Sequence, residues 1–289
     1  MIRIPGLQSL LGINQRNLDY ISAYNPRSAF PLVDDKIRTK EILTAAGVPV
    51  PRSLLVVNSF FEIENVLRFL ESLQTFVIKP ARGRAGGGVL LAEKSGEGGW
   101  RTPTGRKLEE DDLSRQFGDI LFGVYSFGRM GDRALVEERV IPSRFMTDIY
   151  SKGIPDIRII TFRRKPVMAM LRMPSDRSDG KANLHQGALG IGISLESGIT
   201  GSAMYGHSRL DRHPDSGVPL AGLTIPFWPE ILGIAVRSSE SVPLEYLGID
   251  IVIDEVKGPL VLELNARPGL QIQVVNGSGL VPLLQEAAE

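Results

Sequence analysis

The sequence predicts an α+β fold rather than a doubly wound parallel sheet. Several predicted strands follow one another directly, as in "DIRIITFRRKPVMAMLRMP" and in "YLGIDIVIDEVKGPLVLELN". Strands joined by such short turns pair antiparallel, and helices interrupt them irregularly. The chain has 289 residues, which is long enough for one large domain or two lobes. We find no internal repeat in the sequence.

The N-terminal third predicts mainly helices. The first thirty residues indicate one or two helices that end in "NPRSAFP", and "DDKIRTKEILTAAG" indicates another helix that ends at Gly47. "SFFEIENVLRFLESL" predicts an amphipathic helix with Phe61, Val66, Phe69 and Leu70 on one side.

The remaining elements alternate between strands and helices. "RSLLVV", "TFVIKPA", "VLLAEK" and "RALVEERVI" are typical of strands, and residues 95–112 are polar enough for an excursion with a hairpin. "DDLSRQFGDILFGVYS", "PEILGIAVRSSESV" and the C-terminal tail predict helices, whereas "NLHQGALGIGISLESGIT" predicts a loop, a strand and a turn. Residues 205–226 predict no regular structure.

Composition narrows the classes of function. Apolar residues make up 43% and charged residues 23%, with 33 basic and 33 acidic side chains. A net charge of zero gives no electrostatic case for nucleic acid or an anionic membrane. The absence of cysteine excludes disulfides and thiolate sites. We find no signal peptide and no transmembrane segment in the sequence, and we expect a cytoplasmic protein.

Polar side chains near the C-terminus stand in otherwise apolar strands. "GIDIV" carries Asp250, and "LVLELNARPGL" carries Glu263 and Asn265. Because side chains alternate along a strand, Glu263 and Asn265 share a face, and the hairpin brings Asp250 opposite them. Hard oxygen ligands suit Mg²⁺ or Mn²⁺, although polar strand ends at the surface would produce the same pattern.

A lysine followed by glycines forms a second motif. "FVIKPARGRAGGG" delivers Lys79 from an apolar strand into a glycine-rich loop whose backbone amides can approach phosphate oxygens. No Walker sequence is present, and a flexible hairpin with a lysine is the alternative. In "RALVEERVI", Glu137 and Glu138 can accept from an adenine amino group or lie at an ordinary exposed strand end.

Two further stretches combine groups that can bind a ligand. "DIRIITF" places Asp156 and Arg158 on one face of a strand, where they suit ribose and phosphate or form an ion pair. "GKANLHQGALG" holds Lys181, Asn183 and His185 in a glycine-flanked loop. His185 is either a ligand-binding or a structural histidine.

The order of these motifs resembles that of the ATP-grasp superfamily, and most closely its alpha-L-glutamate ligase branch. "DDKIRTKEILTAAGVPVPRS", "DIR", "NLHQGA" and "GIDIV…GPLVLELNARPGL" are similar to stretches of the ligase in the same order. "HPDSGVPLAGLTIPFWPE" resembles a subgroup associated with sugar transferases. The resemblance runs from about residue 34 to about residue 280, and E-x-N-x-x-P-G-L is its most specific part.

The resemblance implies an ATP-grasp fold of two α+β lobes that grip ATP between antiparallel sheets. It implies an ATP-grasp domain over 34–289, with a small nucleotide-binding lobe at about 50–135 and a C-terminal metal-binding lobe at about 136–289. Residues 1–33 would be a helical segment that replaces a truncated pre-ATP-grasp domain. A partner protein or a second copy of the chain would then complete the substrate cleft.

The resemblance also assigns roles to individual residues. It implies that Asp250, Glu263 and Asn265 hold two Mg²⁺ or Mn²⁺ ions. The implied catalytic residues are Arg158, Arg267 and Lys181. The implied ATP-binding residues are Lys36, Lys79, Gly86, Gly87, Gly88, Glu137, Glu138, Val140, Asp156, Asn183 and His185.

Two positions depart from the pattern of the glutamate ligase. The stretch 141–155 is longer than usual, so Asp148 competes with Asp156 as the ribose ligand. Lys181 stands where the glutamate ligase has an arginine, and lysine cannot make the same bidentate contact.

The implied reaction is ATP-dependent amide formation. A carboxylate would take the γ-phosphoryl group of ATP, and an amine or peptide acceptor would attack the resulting acylphosphate. The acid would be an amino acid such as glutamate or another small carboxylic acid. The alternatives are a phosphotransferase and a nucleotide-binding regulatory or scaffold protein without turnover.

Overall fold

A computed structural model describes residues 7–83, 86–96, 98–126 and 131–289. The chain divides into two compact units. Unit one comprises Met1–Asp34, Arg38–Val50 and Ile141–Glu289, and unit two comprises Asp35–Ile37 and Pro51–Val140. Residues 1–34 therefore group with the C-terminal half of the chain, and the predicted lobe boundaries stay a prediction.

Unit two contains a six-stranded antiparallel sheet of order β1-β6-β2-β3-β4-β5. Its strands are β1 (Ser53–Val57), β2 (Thr75–Pro80), β3 (Leu90–Lys94), β4 (Trp100–Arg101), β5 (Lys107–Leu108) and β6 (Ala134–Glu137). Its two principal helices, here α4 (Ile63–Leu70) and α5 (Glu110–Leu121), pack on one face of the sheet. The buried core between them includes Phe76, Ile78, Phe117 and Val136.

Unit one contains a seven-stranded antiparallel sheet of order β11-β10-β9-β8-β7-β12-β13. The strands are β7 (Asp156–Phe162), β8 (Lys165–Met173), β9 (Leu189–Ile193), β10 (Thr200–Tyr205), β11 (Ser208–Leu210), β12 (Tyr246–Asp254) and β13 (Gly258–Asn265). The predicted hairpins β7–β8 and β12–β13 are present, and Arg163 and Arg164 adopt positive φ in the tight turn between β7 and β8. By contrast, β10 extends to the first residue of the stretch 205–226, which was predicted to have no regular structure, and β11 lies within it.

Helices cover both faces of this sheet. The helices of unit one are α1 (Ile13–Gln15), which continues as a π-helix (Arg16–Ser22), α2 (Pro31–Asp34), α6 (Arg144–Ile149), α7 (Trp228–Glu240), α8 (Gln271–Asn276) and α9 (Leu280–Ala288). Another helix, α3 (Lys36–Ala45), begins among the unit-two residues 35–37 and continues in unit one. On one face, α7 packs against Ile159 and Ile249. On the other face, α8, α9 and the N-terminal segment pack against Ile160, Phe162 and Tyr246.

One predicted helix face is wrong. Val66 and Leu70 of α4 are buried, but Phe69 is 39% exposed, and Phe61 precedes the helix and is 96% exposed. Apolar residues also occur outside the helix face that packs on the sheet, so the sequence overestimates how many of them are buried. In the part of the chain that the structure describes, we find no helix long and apolar enough to span a membrane.

Candidate functional site

Polar side chains occupy one end of one face of the seven-stranded sheet. Strand register places Asp250 of β12 between Arg158 of β7 and Glu263 of β13. Asp156 of β7 pairs with Arg172 of β8 in the neighbouring register. Because alternate residues share a face, these five side chains and Asn265 point to the same side of the sheet. We call this set the polar cluster: Asp156, Arg158, Arg172, Asp250, Glu263 and Asn265.

Two guanidinium groups hold the two buried carboxylates of the polar cluster. Arg158 donates from Nε to Asp250 Oδ1 at 2.7 Å and from Nη2 to Oδ2 at 2.5 Å. Arg172 donates to both oxygens of Asp156, at 2.5 and 2.6 Å, and its Nη2 also reaches Asp250 Oδ2 at 2.7 Å. Such bidentate, charge-assisted bonds fix the orientation of both partners.

Electrostatics keep Asp250 ionised. Burial acts to raise the pKa of Asp250, but the charges of Arg158 and Arg172 outweigh it and hold that pKa well below its usual range. Burial also acts on Asp156, and its pKa is raised despite the charge of Arg172. Three carboxylates face two guanidinium groups in the polar cluster, so the cluster has an excess of one negative charge when all five ionise.

The donor set of the predicted metal site fits a hard cation. Asn265 Nδ2 lies 3.2 Å from Asp250 Oδ2 and 3.3 Å from Glu263 Oε1, so this amide contacts both of the other predicted ligands. A 180° rotation of the amide would present its oxygen to the same place. Asp250 Oδ1, which accepts one described bond, and Glu263 Oε1 each keep a further lone pair for a cation. Among the described residues, no group of three or more Asp, Glu, His or Cys side chains is placed to hold a metal ion.

Arg267 lies in the turn after β13. Its guanidinium stacks over the ring of Phe30 at 4.4 Å from the centroid, and its Nη2 is 4.0 Å from Asp34 Oδ2. Both side chains of that ion pair are about 40% exposed, at 43% and 42%. The stacking fixes the guanidinium plane, while the long, exposed ion pair contributes little stability.

The loop that carries Lys181, Asn183 and His185 has no described contact with the polar cluster. Asn183 caps a short 3₁₀ turn, because its Oδ1 accepts the His185 backbone N–H at 3.0 Å. Lys181 and His185 are exposed. The structure therefore gives Asn183 a local structural bond, and the catalytic role of Lys181 and the ATP-binding roles of Asn183 and His185 stay predictions.

In unit two, Lys79 and Glu137 form a buried ion pair on the sheet face opposite α4 and α5. The two side chains are 8% and 5% exposed. Lys36, at the start of α3, donates from Nζ to the carbonyl of Gly83 at 2.6 Å. Lys79, which was predicted to bind phosphate, is thus paired with Glu137, which was predicted to bind adenine.

The other nucleotide candidates of unit two lie outside its helices and strands. Glu138 donates its backbone N–H to the Arg52 carbonyl at 2.9 Å, and Val140 is buried. Arg84 and Ala85 of the glycine-rich loop lie outside the described residues.

Gly86, Gly87 and Gly88 form a turn. Gly88 has positive φ, and a Cβ there would lie 2.5 Å from the ring of Tyr125.

The rival ribose ligand, Asp148, is a surface residue. It is 70% exposed and pairs with Arg144 one helical turn away, at 3.8 Å. Asp156 is buried, and both of its oxygens accept from Arg172. The geometry gives Asp156 the function of orienting Arg172, and a ribose role for either residue stays a prediction.

Sequence reasoning did not single out Arg172. It is the only charged residue in the apolar stretch "MAMLRMP", and that isolated charge was the available signal. Only the strand order β8-β7-β12 shows that Arg172 reaches across β7 to Asp250.

Curated relatives match most of this chain at low identity. A cyanophycin synthetase of Trichormus variabilis is 25% identical over 267 residues, which cover 86% of this chain and 28% of the synthetase. A probable alpha-L-glutamate ligase of Xanthomonas oryzae pv. oryzae is 25% identical over 258 residues, which cover 89% of this chain and 65% of the ligase. The chain thus spans less than two-thirds of the length of either relative.

Solved structures confirm the predicted ATP-grasp, α+β fold. D-alanyl-alanine synthetase A from Vibrio cholerae superposes with a TM-score of 0.53 at 14% identity, covering 90% of this chain and 64% of the synthetase. A profile of the sugar-transfer-associated ATP-grasp family matches residues 15–289, nearly the whole chain. On that match, together with the fold and the ordered motifs of both units, this chain belongs to the sugar-transfer-associated ATP-grasp family.

Proposed function

We propose that this protein is an ATP-dependent carboxylate–amine ligase that forms an amide through an acylphosphate. The polar cluster carries the proposal, because two carboxylates and an amide lie together beside two oriented guanidinium groups, and such a donor set suits a divalent cation. Family membership supports it, and so do the relatives named probable alpha-L-glutamate ligase and cyanophycin synthetase.

In the proposed reaction, a carboxylate oxygen of the acid attacks the γ-phosphorus of ATP, and ADP leaves. The nitrogen of the amine then attacks the acyl carbon, loses a proton and displaces inorganic phosphate. Asp250, Glu263 and Asn265 would hold Mg²⁺ or Mn²⁺, which supplies positive charge to phosphate oxygens when bound. We expect an amino acid such as glutamate as the acid and a small amine or peptide as the acceptor.

The chain's own side chains would contribute positioning and electrostatics. Arg158 is held rigidly by Asp250, which suits it to orient an anionic oxygen. Lys36 and Lys181 are the candidate phosphate contacts. Lys79 is engaged by Glu137 and would reach a phosphate only where that ion pair opens.

Hydroxylamine provides a test that does not require the natural amine. The full-length protein is incubated with ATP, Mg²⁺ or Mn²⁺, hydroxylamine and each of a panel of amino acids and dicarboxylic acids. We expect one or more acids to give a hydroxamate in proportion to ADP. ADP formed without hydroxamate would support the phosphotransferase, and nucleotide binding without ADP would support the regulatory alternative.

The variant Glu263→Gln tests the metal-binding role. Glu263 is only partly buried and its described bond is to the Asn265 amide. The fold should therefore tolerate this change better than Asp250→Asn, which would leave the Arg158 guanidinium without its carboxylate partner. We expect ADP formation to fall at least 100-fold, or roughly 3 kcal/mol in the barrier. Glu240→Gln, on the exposed side of α7, is the matched control and should retain the rate. A near-normal rate for Glu263→Gln would show that the metal assignment is wrong.

A further inference from the structure

The first part of the N-terminal segment (residues 7–34) lies on the same sheet face as the polar cluster, whereas Ala29 and Val33 pack in the core on the opposite face. Every second residue of β12 points to the face of the polar cluster, and these include Tyr246, Gly248 and Asp250. Asp250 belongs to the polar cluster, whereas Tyr246 is buried in an apolar core with Leu11, Tyr20 and Ile21 of the N-terminal segment. The segment therefore covers the half of the face that adjoins the polar cluster.

Arg16 is the point where this segment meets the turn after β13. Its Nη1 donates to the Pro268 carbonyl at 2.8 Å. Its Nε and Nη2 donate to the Asn17 side-chain oxygen at 3.1 and 2.8 Å. Within the described part of the chain, no carboxylate forms an ion pair with Arg16, so this half-buried cation has only neutral partners.

A second guanidinium lies on the same turn. Arg267 precedes the proline whose carbonyl Arg16 binds, and it is held flat on Phe30. Pro268 itself packs on Gly248, where a Cβ would come within 2.6 Å of the proline Cβ. Because Gly248 is two residues from Asp250 on one face, the turn sits against the polar cluster.

The two guanidinium groups are close enough to repel. Burial lowers the pKa of Arg16, and the charge of Arg267 adds to that lowering. Asp34 is the described carboxylate nearest to Arg267, and it is 4.0 Å away and 42% exposed. Two like charges without a close counter-ion are stabilised by an anion that accepts from both.

The core under the N-terminal segment contains a buried hydroxyl, that of Tyr246, without a hydrogen-bond partner among the described residues. Tyr246 Oη forms no hydrogen bond to any described residue although it is buried. Burial raises the pKa of that hydroxyl, and the charge of Arg16 opposes the rise. An orphaned polar group of this kind is usually satisfied by a water or a bound ligand.

We propose that Arg16 and Arg267 bind a carboxylate of the acid substrate other than the one that is phosphorylated. This inference rests on the proposed function, and it makes the preferred acids those with two carboxylates. The planar guanidinium fork matches a carboxylate, and the pair gives the turn a positive charge beside the negative polar cluster. One carboxylate would be anchored at the arginines while the other lies toward the proposed metal ligands.

Equilibrium binding tests the pair without requiring turnover. Calorimetry at fixed ionic strength compares glutarate, L-glutamate and L-aspartate with valerate, which carries one carboxylate. For the wild-type protein we expect tighter binding of at least one dicarboxylate than of valerate. Arg16→Gln should weaken dicarboxylate binding about 10- to 100-fold, as the loss of a charged hydrogen bond predicts.

The matched control is Arg27→Gln, which removes the same charge from an exposed position of the same segment. It should bind dicarboxylates within twofold of the wild type. Arg16→Lys keeps a donor for the Pro268 carbonyl but not the fork, so it should fold normally and recover only part of the affinity. Affinity for Mg²⁺–ADP should stay within twofold in all three variants.

Three results would overturn the inference. The first is a wild type that binds no dicarboxylate better than valerate, and the second is an Arg16→Gln variant that binds dicarboxylates as the wild type does. The third is a selective loss of Mg²⁺–ADP binding, which would assign the arginine pair to nucleotide phosphate.

Hydroxamate formation separates this inference from the proposed function. If dicarboxylate binding depends on Arg16 but no acid gives a hydroxamate, the binding site stands and the ligase proposal fails.

Discussion

Arg172 connects three strands through one side chain. It pairs with Asp156 on the adjacent β7 and reaches Asp250 on β12, one strand farther. Its side chain is only 12% exposed, so the ion pairs are largely removed from water. Breaking one partner of such a pair costs far more than the intact pair contributes, because a buried charge is left without compensation.

At the residue scale, we therefore expect Arg172→Met to lower the free energy of unfolding by about 3–5 kcal/mol. The double variant with Asp156→Asn should lose less than the sum of the single losses, because it removes both members of the pair. Denaturant unfolding of the wild type, the two single variants and the double variant measures the coupling energy between Arg172 and Asp156. Arg144→Met breaks an exposed helix pair and should cost less than about 1 kcal/mol. Strict additivity of the two single losses would contradict the proposed function of Asp156 in orienting Arg172.

At the element scale, the sequence predicts most strands and hairpins because their signal is local. Alternation and turn residues within "DIRIITFRRKPVMAMLRMP" suffice to place β7 and β8. Strands β10 and β11 were missed, because their residues alternate weakly and their pairing with β9 depends on tertiary context. The face of α4 was mispredicted for a related reason, since periodicity cannot show where a covering layer ends.

The same distinction applies to the candidate site. Asp156, Arg158, Asp250, Glu263 and Asn265 were predicted individually, and strand alternation indicates that they share a face. The order in which strands pair was not available from the sequence, so the link from Arg172 to Asp250 was not predicted. The pairing of Lys79 with Glu137 was missed for the same reason.

The carboxylate of Asp254, the last residue of β12, binds the backbone of the turn that leads to β13. Asp254 Oδ1 accepts the N–H groups of Val256 and Lys257, both at 3.0 Å, and Oδ2 accepts that of Ile141 at 2.9 Å. Burial acts to raise the pKa of Asp254, but the three backbone donors outweigh it, so the pKa is lowered. A carboxyl whose pKa is depressed in the folded state contributes stability above its unfolded pKa, and that stability is lost as pH falls.

We expect Asp254→Asn to cost about 1–3 kcal/mol at pH 7, because the amide NH₂ would oppose a backbone donor. The difference in unfolding free energy from the wild type should shrink as pH falls below about 4, the ordinary pKa of an aspartic acid. Urea unfolding from pH 7 down to pH 3 measures both effects. Asp211→Asn, at an exposed position, should show neither effect. A wild-type advantage that is constant over this range would contradict the ionic origin of the stabilisation.

At the scale of the whole molecule, the two ends of the chain form one core in unit one. Gln273 of α8 bonds both backbone groups of Leu11, each at 2.9 Å. Asn25 bonds the backbone N–H and carbonyl of Tyr246 at 3.0 and 2.8 Å, which completes the start of β12. These are buried polar contacts across more than 200 residues of sequence, and they fix the N-terminal segment beside the polar cluster.

Asn25→Ala tests whether the N-terminal segment is an integral part of unit one. The side chain is 2% exposed, and its loss would leave two backbone groups of Tyr246 without their partner. Each orphaned group costs about 1–3 kcal/mol, and roughly 1 kcal/mol shifts the melting temperature of a domain of this size by about 2–4 °C. We therefore expect a fall of several degrees in thermal unfolding of the full-length protein, whereas Asn14→Ala, at an exposed position, should leave the melting temperature unchanged. Equal melting temperatures for both variants would mean that the segment adds no stability to the sheet, and the placement of Arg16 beside the polar cluster would then lose its structural support.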